Sequence, residues 1–263
     1  MPSAVTVNPA RSSRLPRERE LGGIPDYRLR LADGPADLRA AQKLRFLVFN
    51  IELNEGLTQS FATCLDADDF DGVCDHLLVE DAGSGAVVGT YRLQTGLRAR
   101  DHLGYYSERE FDFTPFEAQR SGMLELGRAC IHQDHRSFSV LSLLWRGIVA
   151  YAHRRDTRYL IGCSSLTSQD GAIGAAAWQR LLPHLAPQPW RTRPMAGFAC
   201  PLEPAAPEPP KIPKLLAAYL GLGAMICSPP AIDREFGTID FLTLVDLAAP
   251  VQPRRLARFG IPG

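Results

Sequence analysis

Three absences narrow the function of this 263-residue chain. No stretch approaches the roughly 18 consecutive apolar residues that a membrane-spanning helix needs. Neither charge is in excess, because Lys+Arg and Asp+Glu both number 29. A nucleic-acid binder would carry a clustered basic surplus, so that class is set aside. No two of the six cysteines, at 64, 74, 130, 163, 200 and 227, form a Cys-x-x-Cys pair. That removes the usual zinc framework, and no metal site is expected. Thiols scattered through a chain long enough to build its own core read as reduced and buried, which suits the cytoplasm. The N-terminus has no apolar run fit for a signal peptide. The expected location is cytoplasmic, with a peripheral contact at the inner face of the membrane left open.

What is present is an alternation of strand and helix patterns without internal repeats. Residues 1–24 carry Pro2, Pro9 and Pro16 among mixed charges and read as a flexible tail. Residues 25–250 read as one domain, and 251–263 as a C-terminal tail. Strands are expected at 27–31, 76–80, 86–94, 123–131, 158–165, 197–200 and 240–247 from their apolar or alternating patterns. Helices are expected at 35–53, 139–154, 170–184 and 213–226, the last opened by a proline. The acidic stretch 54–75 reads as an ordered loop, and 201–213, with six prolines, as an exposed connector. This order predicts an α/β fold with a mixed central sheet and helices on both faces.

The run Glu125-Leu126-Gly127-Arg128 concentrates the chemistry. Its two charged residues are three apart on an expected strand, so a period of two puts them on opposite faces unless a bulge intervenes. Gly127 is where such a bulge is expected. A bulge would free a backbone N–H to donate to a carbonyl oxygen that is gaining negative charge. A Glu–Arg ion pair holding the sheet together is the alternative for the same residues.

The segments LRFLVF (44–49), DDFDGVCDHLLV (68–79), VVGTYRL (87–93), GYYSEREFD (104–112), ELGRACI (125–131) and PPAIDREFGTIDFL (229–242) together resemble the GNAT-like acyltransferases. The family most resembled is the acyl-carrier-protein-dependent L-ornithine N-alpha-acyltransferases of ornithine-lipid biosynthesis. The N-acyl amino acid synthases and acyl-homoserine-lactone synthases are more distantly similar. The lactone synthases share a sparser set, matched here by Arg45 and Phe49, Asp68 and Asp71, Gly89 to Leu93, and Glu125 and Arg128. Glu55 stands where they place an aromatic residue, which turns the reading away from signal synthesis. YLGLGA (219–224) lacks the Arg that the ornithine enzymes usually carry there.

The resemblance implies a GNAT-like fold and transfer of a 3-hydroxy long-chain acyl group from acyl carrier protein to the α-amine of L-ornithine. The product would be lyso-ornithine lipid, with no bound cofactor and acyl carrier protein as co-substrate and partner. Rival readings are an N-acyl amino acid synthase for another amino acid and a noncatalytic lipid- or carrier-binding protein. Glu125 is the candidate base for the acceptor amine, directly or through water. Arg128 is expected to orient it or bind the substrate carboxylate, with Arg92 as second candidate for the latter. Arg45, Phe49, Asp68, Asp71 and Gly127 complete the expected substrate site. For Asp71 a structural tie to Arg45 is the favoured reading, with the other aspartates left open. The segment 132–139 (HQDHRSFS) contains no glycine, so it lacks the backbone cradle for a CoA pyrophosphate. Arg136, Ser137 and Ser139 are the candidates for the smaller phosphopantetheine phosphodiester. Arg146, Arg154, Arg155 and Arg158 are candidates for meeting an acidic carrier.

Overall fold

Alternation of apolar and polar residues builds the first half of the molecule. The computed structural model describes residues 25–249, so the two expected tails lie outside the described residues. Strands β1 (Tyr27–Leu31), β2 (Asp75–Asp81), β3 (Val87–Thr95) and β4 (Met123–Ile131) form an antiparallel meander. Helix α1 (Pro35–Phe46) follows β1 and continues as a wider π-type turn, Leu47–Glu52. The expected single helix at 35–53 thus changes pitch before its end. A short helix α2 (Gly96–Asp101), not expected, is capped by the Thr95 hydroxyl, which accepts from the Arg98 N–H.

Helix α3 (Phe138–Arg154) carries the chain from β4 to β5 (Tyr159–Leu166). A helical crossover permits parallel pairing, and β4 and β5 are parallel. Helix α4 (Gly171–Leu181) and helix α5 (Lys214–Gly221) precede β6 (Met225–Ile226), β7 (Ala231–Asp233) and β8 (Thr238–Asp246). The sheet runs β1-β2-β3-β4-β5-β8-β6, with β7 also on β8. The α/β reading and the mixed sheet therefore stand.

Two expected elements differ. Residues 197–200 form no strand; Ala199 makes a single bridge to Ala231. The helix expected at 213–226 stops at Gly221, because Gly223 takes φ +91° and turns the chain into β6.

Successive residues of β3 point to opposite faces. Tyr91 and Leu93 join the core under α3, with Leu77, Leu124, Trp145 and Ile148. Arg92, between them, pairs instead with Asp68 and Asp71 on the face that carries α1. On that face Leu44, Val48 and Phe49 pack with Cys130 and Phe236. Helices covering both faces explain why Val88 through Gln94 is buried without interruption.

The β4–β5 ladder has only three pairs and ends at Glu125–Ile161. Beyond it the strands diverge. At the apex a Cβ on Gly162 would lie 2.2 Å from the Leu126 carbonyl oxygen. Gly162→Ala is therefore expected to lower stability by roughly 1–3 kcal/mol, the usual cost of overpacking. A thermal melt checks this, and an unchanged midpoint would show that the apex has slack.

Candidate active site

Divergence of β4 from β5 leaves a cavity of about 740 Å³ between them. Leu126, Leu141, Trp145, Leu160, Leu215 and Tyr219 line its apolar part, and Glu125, Gly127, Arg128 and Arg92 its polar part. The bulge that the sequence demands is present. Thr90 pairs with Cys130 and Arg92 with Gly127, so Arg128 and Ala129 together oppose Tyr91. Its left-handed residue is not Gly127, however, but Arg128, at φ +50°. A long side chain pays conformational energy in that region, which functional sites tolerate when surrounding contacts hold it. The bulge turns Arg128 onto the face of Arg92, and both guanidinium groups lie over the Tyr106 ring, at 4.7 and 5.4 Å from its centroid.

Glu125 does not pair with Arg128 or any other cation among the described residues. Its carboxylate accepts from the backbone N–H of Tyr106 at 2.9 Å, the backbone N–H of Ser107 at 2.8 Å and the Ser107 hydroxyl at 2.7 Å. Glu125 and Arg128 meet only through Tyr106. Burial pushes the Glu125 carboxyl up from its ordinary range, against the opposing pull of Ser107, Tyr106 and Arg92. The result is a fixed, buried carboxylate on the cavity wall.

The expected acceptor-binding residues resolve into a charge network. Arg45 holds Asp71 through two bonds, Nη1–Oδ1 at 2.9 Å and Nη2–Oδ2 at 2.6 Å. Its Nε lies 2.8 Å from Asp66. Arg92 reaches Asp68 and Asp71, at 2.5 and 3.1 Å. Arg128 reaches Asp68 at 2.9 Å and Asp66 at 3.3 Å. Three arginines thus face three aspartates in the interior. Burial alone would raise the Asp71 carboxyl, but the Arg45 hydrogen bonds and the charges of Arg45 and Arg92 hold it well below the usual range. Arg45, Asp68 and Asp71, expected at the substrate, do not line the cavity. They act through Arg92 and Arg128, which do. Phe49 also lines the cavity and meets Phe236 edge-on, at 5.3 Å between ring centroids. Phe236 in turn covers the Arg128 guanidinium at 4.4 Å.

A second acidic group escaped the sequence reading. Glu55, Asp233 and Asp240 line the cavity, and Glu110 lies beside Asp240. Thr167 donates to Glu55 at 2.7 Å, and burial pushes that carboxyl up to about 7. Burial and the neighbouring charges of Asp240 and Asp233 raise Glu110 well above its ordinary value. The signal was available. Asp240 interrupts the apolar run of TIDFL, where an unpaired charge requires a reason.

The residues expected to hold the phosphodiester sit at the start of α3. The Ser137 hydroxyl caps that helix by accepting from the Val140 N–H, and Arg136 pairs with Glu52. Both line the cavity mouth beside the exposed Phe138; Ser139 does not. Burial pushes the Cys130 and Cys163 thiols far up, so neither is a ready nucleophile.

Comparison with known proteins identifies the fold and the family. The family described as acetyltransferase (GNAT) domain matches residues 44–146. The solved N-acyl amino acid synthase FeeM, from uncultured soil microbes, shares the fold at a TM-score of 0.51 with 12% identity, covering 86% of this chain and 93% of that one. The domain match, together with curated relatives that are acyltransferases, makes the chain an acyltransferase of the GNAT class. Among curated proteins, the L-ornithine N(alpha)-acyltransferase of Brucella abortus (strain 2308) is 36% identical, over 91% of each chain. That of Rhodobacter capsulatus is 34% identical, over 87% of this chain and 93% of its own. The chain belongs to the L-ornithine N(alpha)-acyltransferase family.

Proposed function

We propose that this enzyme moves a 3-hydroxy long-chain acyl group from acyl carrier protein to the α-amine of L-ornithine, giving lyso-ornithine lipid. The carrying observation is that one cavity joins an apolar chamber to a charged wall across the β4 bulge. Its volume lies within the roughly 300–1,000 Å³ of ligand sites, which suits an acyl chain meeting a small polar acceptor. The relatives' names supply ornithine as that acceptor.

In this reading the thioester lies along β4 with its carbonyl oxygen toward the bulge backbone, which has no ladder partner on its β5 side. Donors fixed in advance there stabilise the negative charge that builds on that oxygen. The acceptor ammonium gives one proton to Glu125, directly or through water. The amine nitrogen then forms the C–N bond as the C–S bond breaks. The sulfur leaves with the bond pair and takes the second proton from nitrogen, and Glu125 returns its proton to solvent. Arg92 and Arg128 face the acceptor carboxylate, held in place by Asp66, Asp68, Asp71 and, indirectly, Arg45.

For the donor, support comes from the glycine-free turn before α3 and from the exposed apolar side chains Leu53 and Phe138 at the mouth. Arg136 and Ser137, at the cavity mouth, flank the proposed seat of the phosphodiester; Ser139 lies off it. Arg155 and Arg158, paired at the surface with Asp75 and Asp246, offer a basic face to an acidic carrier. No described helix is long and apolar enough to cross a membrane; contact with the bilayer would come through the amphiphilic product.

The test is an assay of 3-hydroxyacyl carrier protein and the matching acyl-CoA against a panel of amino acids, with products read by mass spectrometry. The expected result is an ornithine amide formed at least about 10-fold more efficiently from the carrier-bound donor, a margin of ~1.4 kcal/mol. Equal use of CoA would reject the carrier assignment. No amide with ornithine would reject the acceptor.

A further inference from the structure

Two acidic groups flank the site, and they differ in how their charge is met. Asp66, Asp68 and Asp71 each face an arginine. Glu55, Glu110, Asp233 and Asp240 form no ion pair with Lys or Arg among the described residues. Buried charges that lack a partner are expensive, so such a group holds either shared protons or a cation that arrives from outside.

Glu110 and Asp240 are the deepest of the four, at 1% and 3% exposure. A ligating atom of each, with the Cys163 Sγ, lies within 4.8 Å of the others. Some of their oxygens are partnered. Thr238 donates to Asp240 Oδ2 at 3.2 Å, and the Cys163 thiol lies 3.8 Å from Glu110 Oε1. Glu110 Oε2 and Asp240 Oδ1 are buried and receive no fixed N–H or O–H donor; the two carboxyls bond each other through a shared proton, and Ser165 also bonds Asp240. Asp240 lines the main cavity. Glu110 lines a second, smaller cavity of about 240 Å³, and Tyr106 and Asp233 line both. The pair therefore stands where the two cavities adjoin, next to the ring that carries Arg128.

We infer that Glu110 and Asp240 seat the side-chain ammonium of the acceptor, and so select a diamino acid over its apolar counterpart. The inference rests on the proposed acyl transfer to ornithine and adds the residues that recognise the second amine. An ammonium brings three N–H donors and one positive charge. The two carboxyls supply acceptors once their shared proton is released, and Asp233 and Glu55 add negative potential nearby. Arg92 and Arg128, which lie over the Tyr106 ring, suit the carboxylate. The acceptor would then lie with each charged end toward its complement and its α-amine between them, near β4.

The experiment compares L-ornithine with L-norvaline, which has the same carbon chain and no second amine. It measures kcat/KM for both in the wild type, Asp240→Asn and Glu110→Gln. The amides keep the volume and can satisfy a proton-sharing partner, but they remove the charge. The wild type is expected to prefer ornithine, and each variant to reduce that preference by roughly 30-fold or more, as loss of a buried charge partner does. Variants that keep the wild-type preference would overturn the inference alone and mark the pair as a structural, proton-sharing contact. A wild type that acylates neither amino acid would overturn the acceptor reading and the inference with it. Should the variants not fold, thermal shifts of the wild type decide. Stabilisation by ornithine but not by norvaline supports the assignment, and equal shifts reject it.

Discussion

Replacing Glu125 with Gln is expected to lower kcat by roughly 10²- to 10⁴-fold while a cooperative thermal transition persists, the range a positioned acid–base group contributes. The structure explains both halves of that expectation. Three donors, from Tyr106 and Ser107, hold the carboxylate against the cavity wall. An amide can still accept from Ser107, but its NH₂ would face the N–H of Tyr106 and the turn would loosen. Some loss of stability is therefore expected, but not unfolding. The pH profile separates catalysis from support. A base works only when ionised, and burial raises this carboxyl above its ordinary range. The wild-type rate should fall as pH drops through that raised value, and Glu125→Gln should lack this limb. Near-normal kcat, or a variant that keeps the acid limb, would remove Glu125 from proton transfer and leave it as the anchor of the Tyr106–Arg109 turn.

Asp71→Ala is expected to have the largest effect on stability, about 3–5 kcal/mol, because breaking a buried pair strands its partners. Asp71 is bonded by Arg45, Arg92 and Gln42, and its side chain also accepts from the Asp68 N–H. Arg45 has no exposed surface through which water could replace it. Chemical denaturation measures the loss; a change below 1 kcal/mol would mean that the network rearranges at little cost. The pH dependence carries a definite sign. Asp71 titrates lower in the folded protein than its unfolded value of about 4. Its stabilisation is complete above that value and is lost as pH falls toward the folded one. The wild type should therefore lose stability on acidification over a range in which Asp71→Ala changes less.

Much of the scaffold was legible from one dimension. Strong periodicity located β1 to β5 and α3 to within one or two residues. Periodicity is a local property, set by which side chains must face a core. It was silent where tertiary contacts decide. The 197–200 run had strand composition but found a partner only at Ala199. The helix at 213–226 was cut short by Gly223, whose φ a helix interior cannot adopt.

At the site the division is sharper. Sequence alone established that Glu125 and Arg128 could share a face only through a bulge, because a strand has a period of two. It also showed the missing glycine cradle, because a cradle of backbone N–H groups needs residues without side chains. Tertiary structure decided which residue takes the left-handed turn, Arg128 rather than Gly127. It decided that Glu125 is tied to Ser107 and not to Arg128. It also separated the carboxylates: Asp66, Asp68 and Asp71 are matched by arginines, whereas Glu55, Glu110, Asp233 and Asp240 have no Lys or Arg partner among the described residues. A sequence shows how many charges a chain has; only the fold sets which of them come close enough to neutralise one another, since Coulomb energy depends on distance and burial.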